Sequence, residues 1–442
     1  MAEHKPLRTV AILTLGCKLN QADSDALARS FAAAGCAVTS TEEGADAVVI
    51  NSCTVTHVAD SKARQLVRRA RRSSPEATVV LTGCYVDSAG PDPGIRAGAD
   101  LALANRAKPD IVDAVFRRRT GESARPEAAG ERPPLRGLRS RAFVKIQEGC
   151  NDVCAFCIVP RVRGREDSRP IAEIVAEAQQ HEAAGAREIV LTGTQLGHYG
   201  RDRGWEAGPR RLLEALLERT TIPRIRLSSL QAQDIFPGLL DLWSDRRLCP
   251  HFHLPLQSGS DAVLKRMRRR YTSARYRSAV EMIRSEVADV AITTDVIAGF
   301  PGETEAEHHE TVVLCREAGF AALHVFPYSI RQGTSAALLG AQLTPEVKRA
   351  RADELIALGR ESGRAFRRSL LGSTHDVLWE EPSEPGAWFG LTPNYQRVRV
   401  DSQQSLANTI TPTRLHAPRG DLIQGDVVGL ETDAYADIGM AV

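Results

Sequence analysis

The sequence predicts an α/β protein made of three units: an N-terminal parallel α/β sheet domain, a central partial (β/α)6 barrel and a small C-terminal all-β barrel. Three observations predict this. Apolar, strand-like runs alternate with helix-period segments up to about residue 118 and again from about residue 138 to 371. A polar stretch rich in Arg, Glu, Gly and Pro separates the two runs. Beyond residue 372 the helical period stops, and short β-prone pieces alternate with Gly and Pro. The boundaries are therefore drawn at 5–118, a linker at 119–137, 138–371 and 372–442. A chain of 442 residues exceeds one ordinary core, so several domains are expected.

In the first unit Thr9–Leu15, Ala47–Asn51 and Thr78–Thr82 read as strands, and Ala22–Ala33 and Ala59–Arg72 as helices. The central unit offers strands at Phe143–Ile146, Glu188–Leu191, Arg224–Leu227, His251–Leu254, Ala291–Ile297 and Ala322–Phe326. Six such units rather than eight give a partial barrel. Pro345–Arg368 is a heavily charged helix, outer or linking. In the tail, Asp376–Trp379, Gln396–Val400 and Val427–Thr432 are β-prone.

Hydrophobic residues at 43% and charged residues at 25% are ordinary for a soluble globular protein. A net charge of +2 leaves the nucleic-acid question to local charge distribution. The N-terminus lacks a signal-peptide layout, and no apolar stretch approaches the roughly 20 residues of a membrane span. A cytoplasmic protein without membrane association is expected. Nine cysteines, an odd number, argue for metal or redox roles over disulfides.

Cys150-x3-Cys154-x2-Cys157 stands directly after the first strand of the central unit, in KIQEGCNDVCAFCIVPRVRG. Three thiolates on one short loop can hold a [4Fe–4S] cluster and leave one iron without a protein ligand. An open iron can chelate a small molecule, which in radical enzymes is S-adenosylmethionine. Structural zinc is the alternative, but it wants four ligands, and no further Cys or His lies nearby in sequence. Cys17, Cys53 and Cys84 each follow the C-terminal end of an expected parallel strand, where open α/β sheets place their ligands. For any one of them a buried core cysteine is the better reading. Three at equivalent strand ends suggest a second cluster. Cys36, Cys249 and Cys315 are assigned to structure.

These motifs converge on one family. LGCKLNQ, NSCTVT, TGCY, GCNDVCAFCIVPRVRG, LTGTQLGHYG, LPLQSGSDAVLKRMRRRYT, DVIAGFPGETEAE and FPYSIRQGT together resemble the radical S-adenosylmethionine methylthiotransferases over almost the whole chain. The tail resembles the TRAM-like RNA-binding barrel that ends these enzymes. NSCTVT and TGTQLGHYG look most like the branch acting on N6-threonylcarbamoyladenosine, immediately 3′ of the tRNA anticodon. The resemblance implies two [4Fe–4S] clusters, Cys150, Cys154 and Cys157 holding the radical one and Cys17, Cys53 and Cys84 the auxiliary one. It also implies two S-adenosylmethionine molecules: one methylates a sulfur at the auxiliary cluster, and the other supplies the radical that activates C2–H of adenine. The expected partners are the anticodon stem-loop of tRNA and an electron donor such as a flavodoxin or ferredoxin; the sulfur donor is unknown.

Cofactor contacts are expected at Glu148 and Gly149 before the cysteine loop, and at Thr192 and Gly193 closing the second barrel strand. Gly299 and Gly302, with Pro301, allow close backbone approach to an adenosine, although turn geometry explains them equally. Arg163, with Arg165 and Arg169, can hold a carboxylate or an RNA phosphate, or be ordinary surface charge. On the helix after Cys53, Arg64, Arg68, Arg71 and Arg72 fall on one face, opposite Ala59, Ala63, Leu66 and Ala70. This basic face suits anticodon-stem phosphates, a solvated helix being the alternative. Lys265–Tyr271, KRMRRRY, is a second basic patch or a solvated helix end.

Some features depart from the family pattern. Residues 371–442 carry ten acidic residues against four arginines and no lysine, an acidic balance that repels phosphate. Either a local face of Trp388, Tyr395, Arg397 and Arg399 contacts RNA, or the module has weakened in that role. Gln231 stands where relatives are expected to carry an acid, and GREDSRP is unusually acidic. The competing functions are methylthiotransfer to another substrate (isopentenyladenosine tRNA or a ribosomal-protein aspartate), a zinc-containing RNA-binding protein without catalysis, and a cluster protein that only passes electrons.

Overall fold

The computed structural model describes residues 6–124 and 140–429, apart from 381, 383 and 385. The N-terminal unit is a five-stranded sheet in the order β2-β1-β3-β4-β5, with every pairing parallel. Its strands are β1 Thr9–Thr14, β2 Ala37–Thr39, β3 Ala47–Ser52, β4 Thr78–Gly83 and β5 Leu101–Leu103. β3 and β4 are buried along their whole length, as continuous Val/Ile-rich runs should be when helices cover both faces. Alternation sorts their side chains. Val48, Ile50, Val79 and Leu81 pack on Ala63, Val67 and Ala70 of helix His57–Ser73. Val49 and Val80 face Leu27 and Phe31 of helix Lys18–Ala33 and Ile111 and Val115 of helix Ile111–Thr120.

The central unit is the expected partial barrel. It comprises β6 Arg141–Glu148, β7 Asp167–Ser168, β8 Glu188–Gly193, β9 Arg224–Leu227, β10 His251–His253, β11 Ala291–Ala298 and β12 Ala322–Pro327. β6, β8 and β9 pair in parallel, as do β10, β11 and β12; the short β7 lies antiparallel on the edge of β6. A parallel bridge from Ile225 to Leu248 links the halves. The tail strands β13 Thr374–Trp379, β14 Ala387–Leu391, β15 Arg397–Asp401, β16 Ile410–Arg419 and β17 Leu422–Val427 form a closed barrel in the order β13-β14-β15-β17-β16.

The tail barrel is fixed beneath the central one. At the N-terminal ends of the central strands, Glu188 and Arg226 are completely buried and paired through two bonds of 2.8 and 3.0 Å. Arg226 also donates to the Pro393 carbonyl at 2.9 Å, and Arg224 to the Leu391 carbonyl at 2.8 Å. Tyr395, from the tail, lays its ring 4.7 Å from the Arg226 guanidinium and 4.8 Å from the His251 ring. A bidentate, fully partnered pair of this kind tolerates burial.

The structure moves several boundaries. The first helix starts at Lys18, not Ala22, because its polar first turn faces inward: Asn20 Nδ2 donates to the carbonyls of Leu15 and Ser52 at 2.7 and 2.9 Å. Helix Ile111–Thr120 runs into the stretch expected to be linker, of which residues 125–137 lie outside the described residues. The last strand is Leu422–Val427 rather than 427–432, and residues 430–432 lie outside the described residues. β14 and β16 were hidden by composition: Gly390 interrupts one, and Pro412 and Pro418 sit in the other.

Candidate active site

Three turns at the top of the N-terminal sheet carry Cys17, Cys53 and Cys84. Cys17 is the N-cap of helix Lys18–Ala33, and Cys84 begins helix Cys84–Ala89. Glycines make the approach possible. Gly16 has φ +104°, and a Cβ there would stand 2.7 Å from Cys53 Cβ and 3.0 Å from its Sγ. Gly83 has φ +98°, and a Cβ would strike the Ser52 backbone. Burial, opposed by backbone N–H groups but reinforced by the neighbouring Cys17 and Cys84, pushes the Cys53 thiol up to about 11.

One arginine reaches into this trio. Arg163 Nε lies 3.3 Å from Cys84 Sγ, while its Nη1 donates to Glu148 Oε1 at 2.6 Å. The same guanidinium meets Asn20 and Asp23. Asp23 is buried and also pairs with Lys108 at 2.5 Å and Lys145 at 2.7 Å. Burial opposes its ionisation, but the three cations outweigh that and hold the carboxyl at about 2. Ile158 and Val162, just past the second cysteine loop, pack on Cys84.

The second trio sits on one loop. Asp152 N–H points at Cys150 Sγ at 3.3 Å, and Arg269 Nη1 at Cys154 Sγ at 3.2 Å. Burial pushes Cys150 up to about 11, with Asp152 and Cys154 adding to it, and Cys157 up to about 12, with Cys154 and Cys150 adding to it. The loop is pinned through Ala155, whose N–H donates to Met267 O and whose carbonyl accepts from Ala336 N–H. The three cysteines line a cavity of about 170 Å³ with Gln231, Gln257 and Arg269.

Both trios fit iron–sulfur clusters. The first trio sets Cys53 beside Cys17 and Cys84, the second lines one cavity with all three thiols, and each offers one arginine N–H to a sulfur. Soft, all-sulfur donor sets select such clusters over hard cations. Among the described residues, no fourth Cys and no His lines the cavity around Cys150, Cys154 and Cys157. Cys36 and Cys315 lie in apolar cores, and Cys249 is buried beside Glu188.

A second, larger cavity of about 1110 Å³ runs through the barrel. It extends from His251 and Tyr395 at the strand starts to Thr192, Gly193 and Gln257 at their ends, and it reaches Cys17 and Arg163. The two cavities share Val159, Thr194, Ser229 and Gln257, so they meet. The lining is mostly apolar but carries a set of polar side chains, Lys18, Thr192, Thr194, Ser228, Ser229, His251, His253, Thr293, Asp295 and His324.

The residues expected from sequence divide. Thr192 and Gly193 line the large cavity. Glu148 faces Arg163 and Lys145 instead, and Gly149, at φ +71°, lies where a Cβ would strike the Arg165 carbonyl. Arg163 lines the large cavity, but its guanidinium is committed to Cys84 and two carboxylates rather than free for a ligand carboxylate. Gly299 and Gly302 line neither cavity. Both have positive φ, their N–H groups donate to Glu303 and Ala341 O, and the turn reading accounts for them.

The basic face of helix His57–Ser73 is likewise split. Arg71 is tied to Gly98 O, Ala77 O and Asp100, and Arg64 to Tyr85 Oη at 2.8 Å, whereas Arg68 and Arg72 are exposed. Arg169 is bound to Glu177 and the Lys145 carbonyl. In the second basic patch Arg266 pairs with Glu307, Arg270 with Asp152, and Arg269 points inward. In the tail, Tyr395 and Arg397 line the large cavity, Trp388 is buried and Arg399 pairs with Asp401. Sequence reading missed Lys18, His251, His253, Asp295, His324 and Arg360 as cavity residues. The alternation of His251 and His253 along one short strand was the available signal.

Residues 9–96 match the family described as Uncharacterized protein family UPF0004, and residues 144–315 match the Radical SAM superfamily. The chain is 35% identical over 92% of its length to a threonylcarbamoyladenosine tRNA methylthiotransferase of Bacillus subtilis, of which 94% is covered. It is 34% identical over 94% of its length to a tRNA-2-methylthio-N(6)-dimethylallyladenosine synthase of Akkermansia muciniphila, 97% of which is covered. Among solved structures, the radical S-adenosylmethionine methyltransferase TsrM of Kitasatospora setae superposes with a TM-score of 0.55 at 13% identity, covering 87% of this chain and 81% of that one. That likeness establishes the fold.

Proposed function

Because the chain belongs to the radical S-adenosylmethionine methylthiotransferases, we propose that it places a methylthio group on C2 of N6-threonylcarbamoyladenosine in tRNA, using two [4Fe–4S] clusters and two S-adenosylmethionine molecules. The observation that carries this reading is that Cys17 of the first trio lines the large cavity, which joins the cavity lined by Cys150, Cys154 and Cys157. A nucleobase in the large one can reach both. The curated relatives divide between a threonylcarbamoyl and a dimethylallyl substituent. Polar groups on the wall of the large cavity favour the first: His251 Nδ1 is buried without a partner among the described residues, and an apolar dimethylallyl group would offer it none, at a cost of about 1–3 kcal/mol for a group left unsatisfied.

In this reading Cys150, Cys154 and Cys157 hold the radical cluster, and Cys17, Cys53 and Cys84 the auxiliary one. When bound, these groups and S-adenosylmethionine supply the reductive cleavage that activates C2–H and the sulfur that is methylated and transferred. The chain's own residues orient and shield. Arg269 and the Asp152 N–H stabilise thiolate charge at Cys154 and Cys150, and Arg163 does so at Cys84. Thr192 and Gly193 border the space between the trios, where they contact cofactor. Exposed Arg68 and Arg72 guide anticodon-stem phosphates. A flavodoxin- or ferredoxin-type donor supplies electrons. Among the described residues no helix is long and apolar enough to cross a membrane, in keeping with work on tRNA in the cytoplasm.

The test is anaerobic reconstitution followed by iron analysis and nucleoside mass spectrometry. About eight irons per chain are expected for two four-iron clusters, with 2-methylthio product on tRNA carrying threonylcarbamoyladenosine. Four irons would remove the auxiliary cluster from the scheme. Product only on dimethylallyladenosine tRNA would overturn the substrate.

A further inference from the structure

On the wall of the large cavity three adjacent strands of the barrel place His253, Asp295 and His324 side by side. β10 pairs His253 with Thr293 of β11, and β11 pairs Asp295 with His324 of β12. The contacts are specific. His253 Nε2 lies 3.3 Å from Asp295 Oδ2, and His324 Nδ1 lies 3.1 Å from Asp295 Oδ1. Thr293 Oγ1, 2.9 Å from His253 Nδ1, fixes that ring from behind and also meets His251 Nε2 at 3.3 Å. Burial opposes ionisation of Asp295, but the two imidazoles outweigh it and hold the carboxyl well below the usual range.

This cluster is not a sealed core network. All three residues line the cavity, and the side chain of His324 is 54% exposed. With Nδ1 turned to Asp295, its Nε2 is the ring atom left for a ligand. His251 Nδ1 is buried without a partner among the described residues, and its ring also lines the cavity.

A cation stands on the helix packed against β12. Helix Pro345–Ser369 crosses β12 so closely that a Cβ on Gly359 would lie 2.7 Å from Leu323 Cβ. The next residue, Arg360, lines the cavity, is exposed and pairs with no described carboxylate. An arginine with no described acidic partner, in the same cavity as an Asp295 already satisfied by two histidines, is arranged for an incoming anion.

We propose that Arg360 and His324, with Asp295 and His253 positioning the His324 ring, form the subsite for the carboxylate-bearing arm on N6 of the substrate adenine. Arg360 meets the arm's carboxylate and His324 Nε2 its hydroxyl, while the base extends toward Thr192 and the cysteine trios. This inference rests on the substrate reading above and adds the residues that distinguish a charged arm from an apolar one.

Binding of anticodon stem-loops to the reconstituted protein tests both levels separately. Three loops are compared, carrying threonylcarbamoyladenosine, dimethylallyladenosine or plain adenosine at the same position. The wild type is expected to bind the threonylcarbamoyl loop at least about tenfold more tightly than the plain one, about 1.4 kcal/mol. H324A and R360A are each expected to erase that preference, and R360K to keep most of it. Iron content and melting temperature show whether each variant is folded and loaded. Folded variants that keep the preference overturn the subsite and leave the substrate reading standing. A wild type that prefers the dimethylallyl loop overturns the substrate reading itself. Preference that disappears on treatment with a chelator of divalent ions, in wild type and not through the variants, overturns the subsite in favour of a metal held by the two histidines and the aspartate.

Discussion

The two cysteine trios are assembled by opposite routes. Cys150, Cys154 and Cys157 are neighbours in sequence, and a single pinned loop brings them together. Cys17, Cys53 and Cys84 come from the ends of three parallel strands and converge only when the sheet is complete. Each trio nonetheless receives one arginine N–H at one sulfur, 3.2 Å for Arg269 and 3.3 Å for Arg163. The local trio depends on its loop; the assembled trio depends on the fold around it. That difference decides how each should fail.

The largest effect separates the roles outright. C150A/C154A/C157A should lose reductive cleavage of S-adenosylmethionine and all product. C17A/C53A/C84A should keep cleavage, retain about half the iron and still form no methylthio nucleoside, since each cluster carries four irons. Deoxyadenosine formation, iron content and nucleoside mass spectrometry read the three quantities. Product from the second triple variant would dissolve the comparison.

The same contrast sets what was legible in the sequence. The local trio could be read from spacing. The assembled trio could be read only through the rule that ligands gather beyond strand ends, applied to TLGC, INSC and LTGC. The sheet and partial barrel were visible because β3, β4 and β11 are continuous β-branched runs. The polar wall of the cavity was not. His253, Asp295 and His324 are 29 to 71 residues apart in the numbering, and only strand register makes them neighbours. Arg163 and Arg71 misled for one reason: helix or loop position shows where a guanidinium starts, whereas its carboxylate and carbonyl partners, Asp23, Glu148 and Asp100, come from distant segments.

An intermediate effect tests the dependence of the assembled trio on its surroundings. Asp23 ties Lys108, Lys145 and Arg163 into one buried network under Cys84. D23N leaves Lys108 buried without its counter-charge, so a loss of about 3–5 kcal/mol in chemical denaturation is expected. Iron should fall toward half as the first trio loosens. The pH dependence has a definite sign. The folded carboxyl sits at about 2, below the ordinary value near 3.9. Its contribution is therefore complete above about pH 4 and is lost as pH falls toward 2. The wild-type advantage over D23N should shrink over that window, and an advantage constant from pH 5 to pH 2 would show that Asp23 acts through shape rather than charge.

The smallest effect compares the two arginines directly. Each N–H···S contact is a charge-assisted bond once the sulfur is a thiolate, about 1.5–3 kcal/mol when removed. The lower figure applies to R163A, because Lys108 and Lys145 still compensate Asp23 when the bonds of Arg163 to Cys84, Glu148, Asn20 and Asp23 disappear. R269A removes the contact to Cys154 and also the bond to Gln231 and the stacking on Tyr271. The expected signature is crossed. R269A should slow S-adenosylmethionine cleavage by about tenfold or more, with product falling in step. R163A should slow product formation by about tenfold while cleavage runs ahead of it, so that deoxyadenosine accumulates in excess of methylthio nucleoside. R269K and R163K, which keep charge but lose the planar fork, should fall between wild type and alanine. If both alanine variants lower cleavage and product in the same ratio, the arginines serve a shared electrostatic field across the joined cavities rather than one trio each.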